Sequence, residues 1–84
     1  MAKVDKKIIT ERICNAVAKQ LRKPVAEVTP TKKLKEELNA DSLDVVELMM
    51  NLEEEYNLTI EDEALTKMQT IADVVDYIDK ALNK

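Results

Sequence analysis

The stretch Asp41-Ser42-Leu43-Asp44-Val45-Val46-Glu47-Leu48-Met49-Met50-Asn51-Leu52-Glu53-Glu54-Glu55-Tyr56 decides the fold. Asp41 is a good N-cap, and Asp44 three residues on completes a capping-box-like pair that also suits the positive end of a helix dipole. Val46, Met49, Leu52 and Tyr56 follow at helical spacing with Leu48 beside them, which predicts a helix over 42–56 with these residues facing inward. Asp44, Glu47, Asn51, Glu54 and Glu55 then point outward, and Leu43, Val45 and Met50 fall on the boundary. This helix is more apolar than one buried face requires. Asn57 suits the left-handed position at its C-terminus in place of a glycine.

Upstream, Ile9, Ile13, Val17 and Leu21 recur every four residues with Ile8 and Ala16 alongside, predicting a first amphipathic helix from about Asp5 to Leu21. Arg22, Lys23 and Pro24 end it, the cations by suiting the negative end of the dipole and the proline by excluding the α region from its predecessor. Residues 24–40 read as a long loop, with Val25, Val28, Leu34 and Leu38 spaced as anchors onto a core. Downstream lie a short helical turn around Glu61 to Met68 and a last helix. Thr70 and Asp73 cap that helix, and Ile71, Val74, Val75, Ile78 and Leu82 mark its apolar face.

These elements sum to one all-α domain over residues 1–84, a small four-helix bundle of three main helices and one short one, with a long loop between helices 1 and 2. Composition agrees. The 84 residues include no Gly, two Pro, no Trp and no Phe, so the core is aliphatic and stability is expected towards the low end for single domains.

Charge is segregated. Residues 1–38 carry a net +5 and residues 39–84 a net −9; within 41–63 there are nine acids and no base. Like charges this dense weaken a fold, so a role other than stability is expected for them, and nucleic acid is excluded as a partner. The acids lack the alternation and central glycine of a calcium loop, so no metal site is expected beyond weak divalent-ion binding. Without a run of about 18 apolar residues or a charged leader, the chain is expected to be soluble and cytoplasmic, or organellar if a transit peptide has been removed. An acidic exposed face argues against insertion of a helix into membrane surfaces. Cys14, the only cysteine, reads as a small apolar helix residue.

Ser42 carries the chemistry. A serine at a helix N-terminus is commonly just a cap, but Asp41 fills that role and leaves the hydroxyl free. The chain has no His, so neither a Ser-His pair nor a histidine-ligated zinc is available, and no catalytic residue is expected. An acceptor hydroxyl fits better: a phosphodiester there would meet free N–H groups and the positive helix end.

The run from Leu38 to Tyr56, with its core ADSLDxVELxMxLEEE(F/Y), resembles the attachment-site signature of bacterial and organellar acyl carrier proteins. The similarity extends to the amphipathic first helix, the Glu27-Val28-Thr29-Pro30 loop, the Ile60-Glu61-Asp62-Glu63 turn and the last helix. The resemblance implies that Ser42 takes 4′-phosphopantetheine from coenzyme A by the action of a holo-carrier synthase, a phosphopantetheinyl transferase. The chain would then be a non-catalytic carrier of growing acyl chains for fatty acid synthesis. The resemblance further implies that Asp41, Leu43, Asp44, Glu47, Met50, Glu53 and Glu54 are read by basic patches on acyltransferases, ketosynthases and other synthesis enzymes. Fatty chains in the family can slip between the helices, and an all-aliphatic core suits this.

One departure is Asn39, where the family usually has Gly; Asn tolerates positive φ best among the alternatives. The loop lysines Lys32, Lys33 and Lys35 are also more basic than the family leads one to expect, and read as a solvated loop or a private partner contact. A specialised polyketide or aminoacyl pathway remains an alternative, as does an acidic interaction module with an unmodified serine. The Glu53-Glu54-Glu55-Tyr56 run leans towards fatty acid synthesis, and the layout from Met1 to just past the last helix suggests a free-standing carrier. A monomer is expected.

Overall fold

The computed structural model describes residues 5–83, so the outermost ends of the 1–84 span lie outside it. Four α-helices follow one another, α1 (Lys6–Leu21), α2 (Ser42–Tyr56), α3 (Asp62–Lys67) and α4 (Ile71–Leu82), with a single 3₁₀ turn at Val25–Glu27 in the long α1–α2 loop. This is the all-α bundle expected from the periodicity. Among the described residues no helix is long and apolar enough to cross a membrane.

The helix ends are set locally. Asp5 caps α1 by accepting from Lys7 N at 2.9 Å, and Arg22 leaves the helix in the left-handed region while Lys23 N donates back to Ala18 O at 2.9 Å. Asn57 closes α2 in the same way, with Leu58 N donating to Glu53 O at 3.1 Å. These are the paired bonds that satisfy the last carbonyls of a helix. A chain without glycine must use other residues where φ is positive, and Arg22, Asn39 and Asn57 take those positions.

The core is aliphatic. Ile9, Ile13 and Val17 of α1 meet Ile71, Val74, Val75 and Ile78 of α4 and Leu48, Met49 and Leu52 of α2, all essentially buried, and among the described residues no polar side chain is buried with them. Cys14 is a buried free thiol in this cluster, and burial pushes its pKa up. Val28, Leu34 and Leu38 are the loop anchors that reach the core. Two expectations fail here. Val25 is exposed, because a single turn on the surface cannot bury both of its ends, and Ile8 is exposed because the buried stripe of α1 runs through Ile9, Ile13, Cys14, Val17 and Ala18.

The loop is stitched to the start of α4. Leu34 N donates to Gln69 O at 2.8 Å, Ala72 N to Pro30 O at 2.8 Å and Ile71 N to Lys32 O at 3.3 Å. Asp73 completes the capping box with Thr70 and also accepts from Gln69 N at 3.0 Å, so these backbone N–H groups hold its carboxyl below its ordinary 3.8. A carboxylate whose folded pKa is depressed contributes stability above its unfolded value and loses it as pH falls through the folded one. Urea denaturation as a function of pH is therefore expected to show stability dropping below about pH 4, with Asp73→Asn removing part of that acid-side slope.

Candidate functional site

The first turn of α2 is held from both sides. Asp44 N donates to Asp41 Oδ1 at 2.8 Å and Asp41 N to Asp44 Oδ2 at 3.3 Å, the reciprocal bonds the sequence announces. The preceding residues form a tight fold-back. Glu37 N and Leu38 N both donate to Lys33 O at 3.0 Å, Ala40 N donates to Leu34 O at 2.9 Å, and Asn39 turns the chain with φ 59°. Leu34, Leu38 and Ala40 are buried beneath, so the turn delivers Ser42 to a defined place.

Ser42 is the first residue of α2 and is exposed. Its amide and that of Leu43 have no partner among the described residues, since the capping pair satisfies only Asp41 and Asp44. Lys35 reaches across the fold-back and donates from Nζ to Ser42 Oγ at 3.4 Å. The sequence offers this serine no histidine as a base. The structure does bring an amine to it, but as a donor to the hydroxyl rather than an acceptor of its proton.

Beside Ser42 opens a cleft of about 370 Å³, floored by Leu34, Val45, Val46, Leu65 and Met68 and rimmed by Lys33, Lys35 and Glu36. Val46 belongs here and not in the core: it is 43 % exposed, and Val45 is buried in its place. The inward register of α2 is Val45, Leu48, Met49 and Leu52, one residue off the sequence reading at its first turn. Val46 follows Ser42 by one helical turn, so both look onto the cleft. Neither the cleft nor the approach of Lys35 to Ser42 is visible in the sequence, because both arise where residues 33–40 dock on the segment after α3.

The other residues singled out from the sequence separate into two groups. Leu43, Glu47, Met50 and Glu54 share one exposed face, with Leu43 64 % and Met50 57 % accessible. Glu47 on this face accepts from Gln20 Nε2 at 2.8 Å, a tie between α2 and α1. Asp41 and Asp44 are occupied in the cap. Glu53 is partly buried and accepts from Ile60 N at 2.7 Å, closing the α2–α3 connection.

An exposed, pre-capped serine at the positive end of an acidic helix, with free amides, a cation and an apolar cleft around it, is suited to hold a phosphodiester and a chain attached through it. Comparison with known proteins defines the same class: the chain matches the phosphopantetheine attachment site family over residues 11–78. It is 49% identical over 67 residues to an acyl carrier protein of an Exiguobacterium species, covering 80% of this chain and 85% of that one. It is 42% identical over 82 residues to an acyl carrier protein of Porphyromonas gingivalis, covering 98% and 99%. Its fold matches the solved acyl carrier protein of Enterococcus faecalis with a TM-score of 0.77 at 28% identity, over 92% of this chain and 98% of that one. The chain belongs to the acyl carrier proteins, and phosphopantetheine is its cofactor.

The cap that presents Ser42 is open to direct test. Asp41→Ala removes the acceptor for Asp44 N and is expected to cost about 1 kcal/mol, a fall in Tm of roughly 4–8 °C for a domain of this size. Faster amide exchange confined to the first turn of α2 should accompany it.

Proposed function

We propose that Ser42 is the attachment point of 4′-phosphopantetheine, and that the protein shuttles growing acyl chains between the enzymes of fatty acid synthesis. The observation that carries this reading is the exposed Ser42 hydroxyl at the first position of α2, spared from capping by Asp41. The seryl oxygen is an acceptor: the O–P bond it forms replaces the pyrophosphate bond broken in coenzyme A, and adenosine 3′,5′-bisphosphate leaves. The carboxylates of Asp41 and Asp44 are engaged in the cap, so the serine's proton is assigned to a base on the phosphopantetheinyl transferase. Once attached, the group supplies a terminal thiol that bears the acyl chain as a thioester.

The protein's own residues do the rest. The first-turn amides and the helix dipole favour the phosphate charge. Val45, Val46, Leu65 and Met68 offer the adjoining cleft to apolar atoms, where each CH₂ removed from water contributes roughly 0.8 kcal/mol. Leu43 and Met50 stand exposed between Glu47 and Glu54, an arrangement that supports a docking face for partners with basic patches. Its acids would quicken encounter while its small apolar area allows release, as a carrier visiting several enzymes requires.

Incubation with coenzyme A and a broad-specificity phosphopantetheinyl transferase, followed by intact mass measurement, tests the attachment. The expected result is a gain of one phosphopantetheine, abolished in Ser42→Ala; no gain with several transferases sinks the reading. For the docking face, Glu47→Lys is expected to slow acyl loading severalfold at low salt while leaving the circular dichroism of the helices unchanged. Wild-type rates should fall as salt rises, and salt-independent rates would remove the steering argument.

A further inference from the structure

Of the three lysines at residues 32–35 of the α1–α2 loop, two are turned on the loop's own acids: Lys33 Nζ lies 3.2 Å from Glu36 and Lys32 Nζ 3.9 Å from Glu37. Lys35 is different. Among the described residues it has no carboxylate partner, and its ammonium is spent on the uncharged Ser42 Oγ at 3.4 Å. A cation that passes over the loop's acids for a neutral hydroxyl is placed for a charge that arrives at that hydroxyl.

We propose that Lys35 is a positioning residue for the phosphopantetheine arm, pairing with the phosphodiester on Ser42 and holding the root of the arm over the cleft. The proposal rests on Ser42 being the attachment point. Its physical ground is the charge around that atom. Asp41 and Asp44 flank Ser42, so an anion built on Oγ enters a field of like sign that the first-turn amides offset only in part. Lys35 supplies the missing counter-charge from where its ammonium already lies, 3.4 Å from Ser42 Oγ, on a backbone anchored by buried Leu34 and its bond to Gln69 O at 2.8 Å. Replacing the neutral acceptor by an anion turns the existing ammonium–hydroxyl contact into an ion pair. Lys35 and Ser42 both line the same cleft, so an arm tethered by this pair starts at its mouth, above Val46, Leu65 and Met68. Lys35 thereby biases the arm towards the cleft rather than towards solvent.

The test uses the protein loaded by a transferase, with loading verified by mass, as wild type, Lys35→Gln, Lys35→Arg and the remote control Lys19→Gln. Phosphorus-31 NMR reads the phosphodiester, and cross-relaxation between the arm's methyl groups and Val46, Leu65 and Met68 reads docking. At low salt, Lys35→Gln is expected to move the phosphorus resonance and weaken the cross-peaks by about 2- to 5-fold, the range for an exposed ion pair. Lys35→Arg should restore both, and Lys19→Gln should change neither. The wild-type and Lys35→Gln spectra should converge in about 1 M salt, where screening reaches roughly 3 Å. Coincident wild-type and Lys35→Gln spectra at low salt overturn the proposal while leaving attachment intact. A difference that survives high salt or is not restored by arginine also overturns it, since it would report a displaced loop rather than a lost charge. Failure of wild type to gain mass overturns the attachment reading, and this inference with it.

Discussion

The start of α2 depends on one docking event: residues 30–34 bond along the backbone to residues 69–72, just as α4 begins. That short antiparallel contact between Lys33 and Thr70 seats Leu34 in the core and sets where the following turn can go. From there Ala40 bonds back to Leu34, Asn39 reverses the chain, and Asp41 meets Asp44. Asp73 reinforces the same junction from the other side by accepting from Gln69 and Thr70. Loosening this junction would let the capped end of α2 drift even if the helix itself stayed intact.

Core packing and surface charge draw on different residues in this chain. Packing is left to aliphatic side chains from α1, α2, α4 and the loop, with no described polar side chain buried among them. The acids stay at the surface, where their repulsion is weakened by solvent and salt. Some nonetheless have structural duties: Asp41, Asp44 and Asp73 hold backbone amides, and Glu53 ties down Ile60. Lys6 pairs with Asp76 at 2.6 Å across α1 and α4, which raises its pKa, but both groups are exposed and such a pair contributes little. Left-handed conformations at Arg22, Asn39 and Asn57 cost more than glycine would there, with asparagine the better adapted of the two residue types.

The helices and their ends were legible in the sequence because they are decided within four residues. Asp41 with Asp44, Thr70 with Asp73, and Asn57 at a helix end each involve neighbours along the chain, and each is found as read. Ser42 could be singled out for the same reason, since its neighbour's claim on the cap is a local fact. Sequence pattern and structure part where apolar residues outnumber the inward positions. Val45 and Val46 are both acceptable at the inner edge of α2, and only the open cleft between α2, α3 and the loop leaves Val46 uncovered. Ile8 and Val25 are exposed for a similar reason: the pattern of apolar residues ranks faces but does not say how far a neighbouring element extends to cover them.

What the sequence by itself determined is the all-α class, the limits of the helices, the segregation of charge and the position of Ser42 at a capped helix start, all properties of short-range bonding and composition. Only the tertiary structure decided that Val45 and not Val46 is buried, that Glu53 is engaged with Ile60, and that Lys35 rather than Lys32 or Lys33 faces Ser42. The reason is that a loop's side chains acquire direction from what the loop docks against. Here the docking partner, the start of α4, lies some 35 residues further along the chain than Lys35 and is brought beside it only by folding.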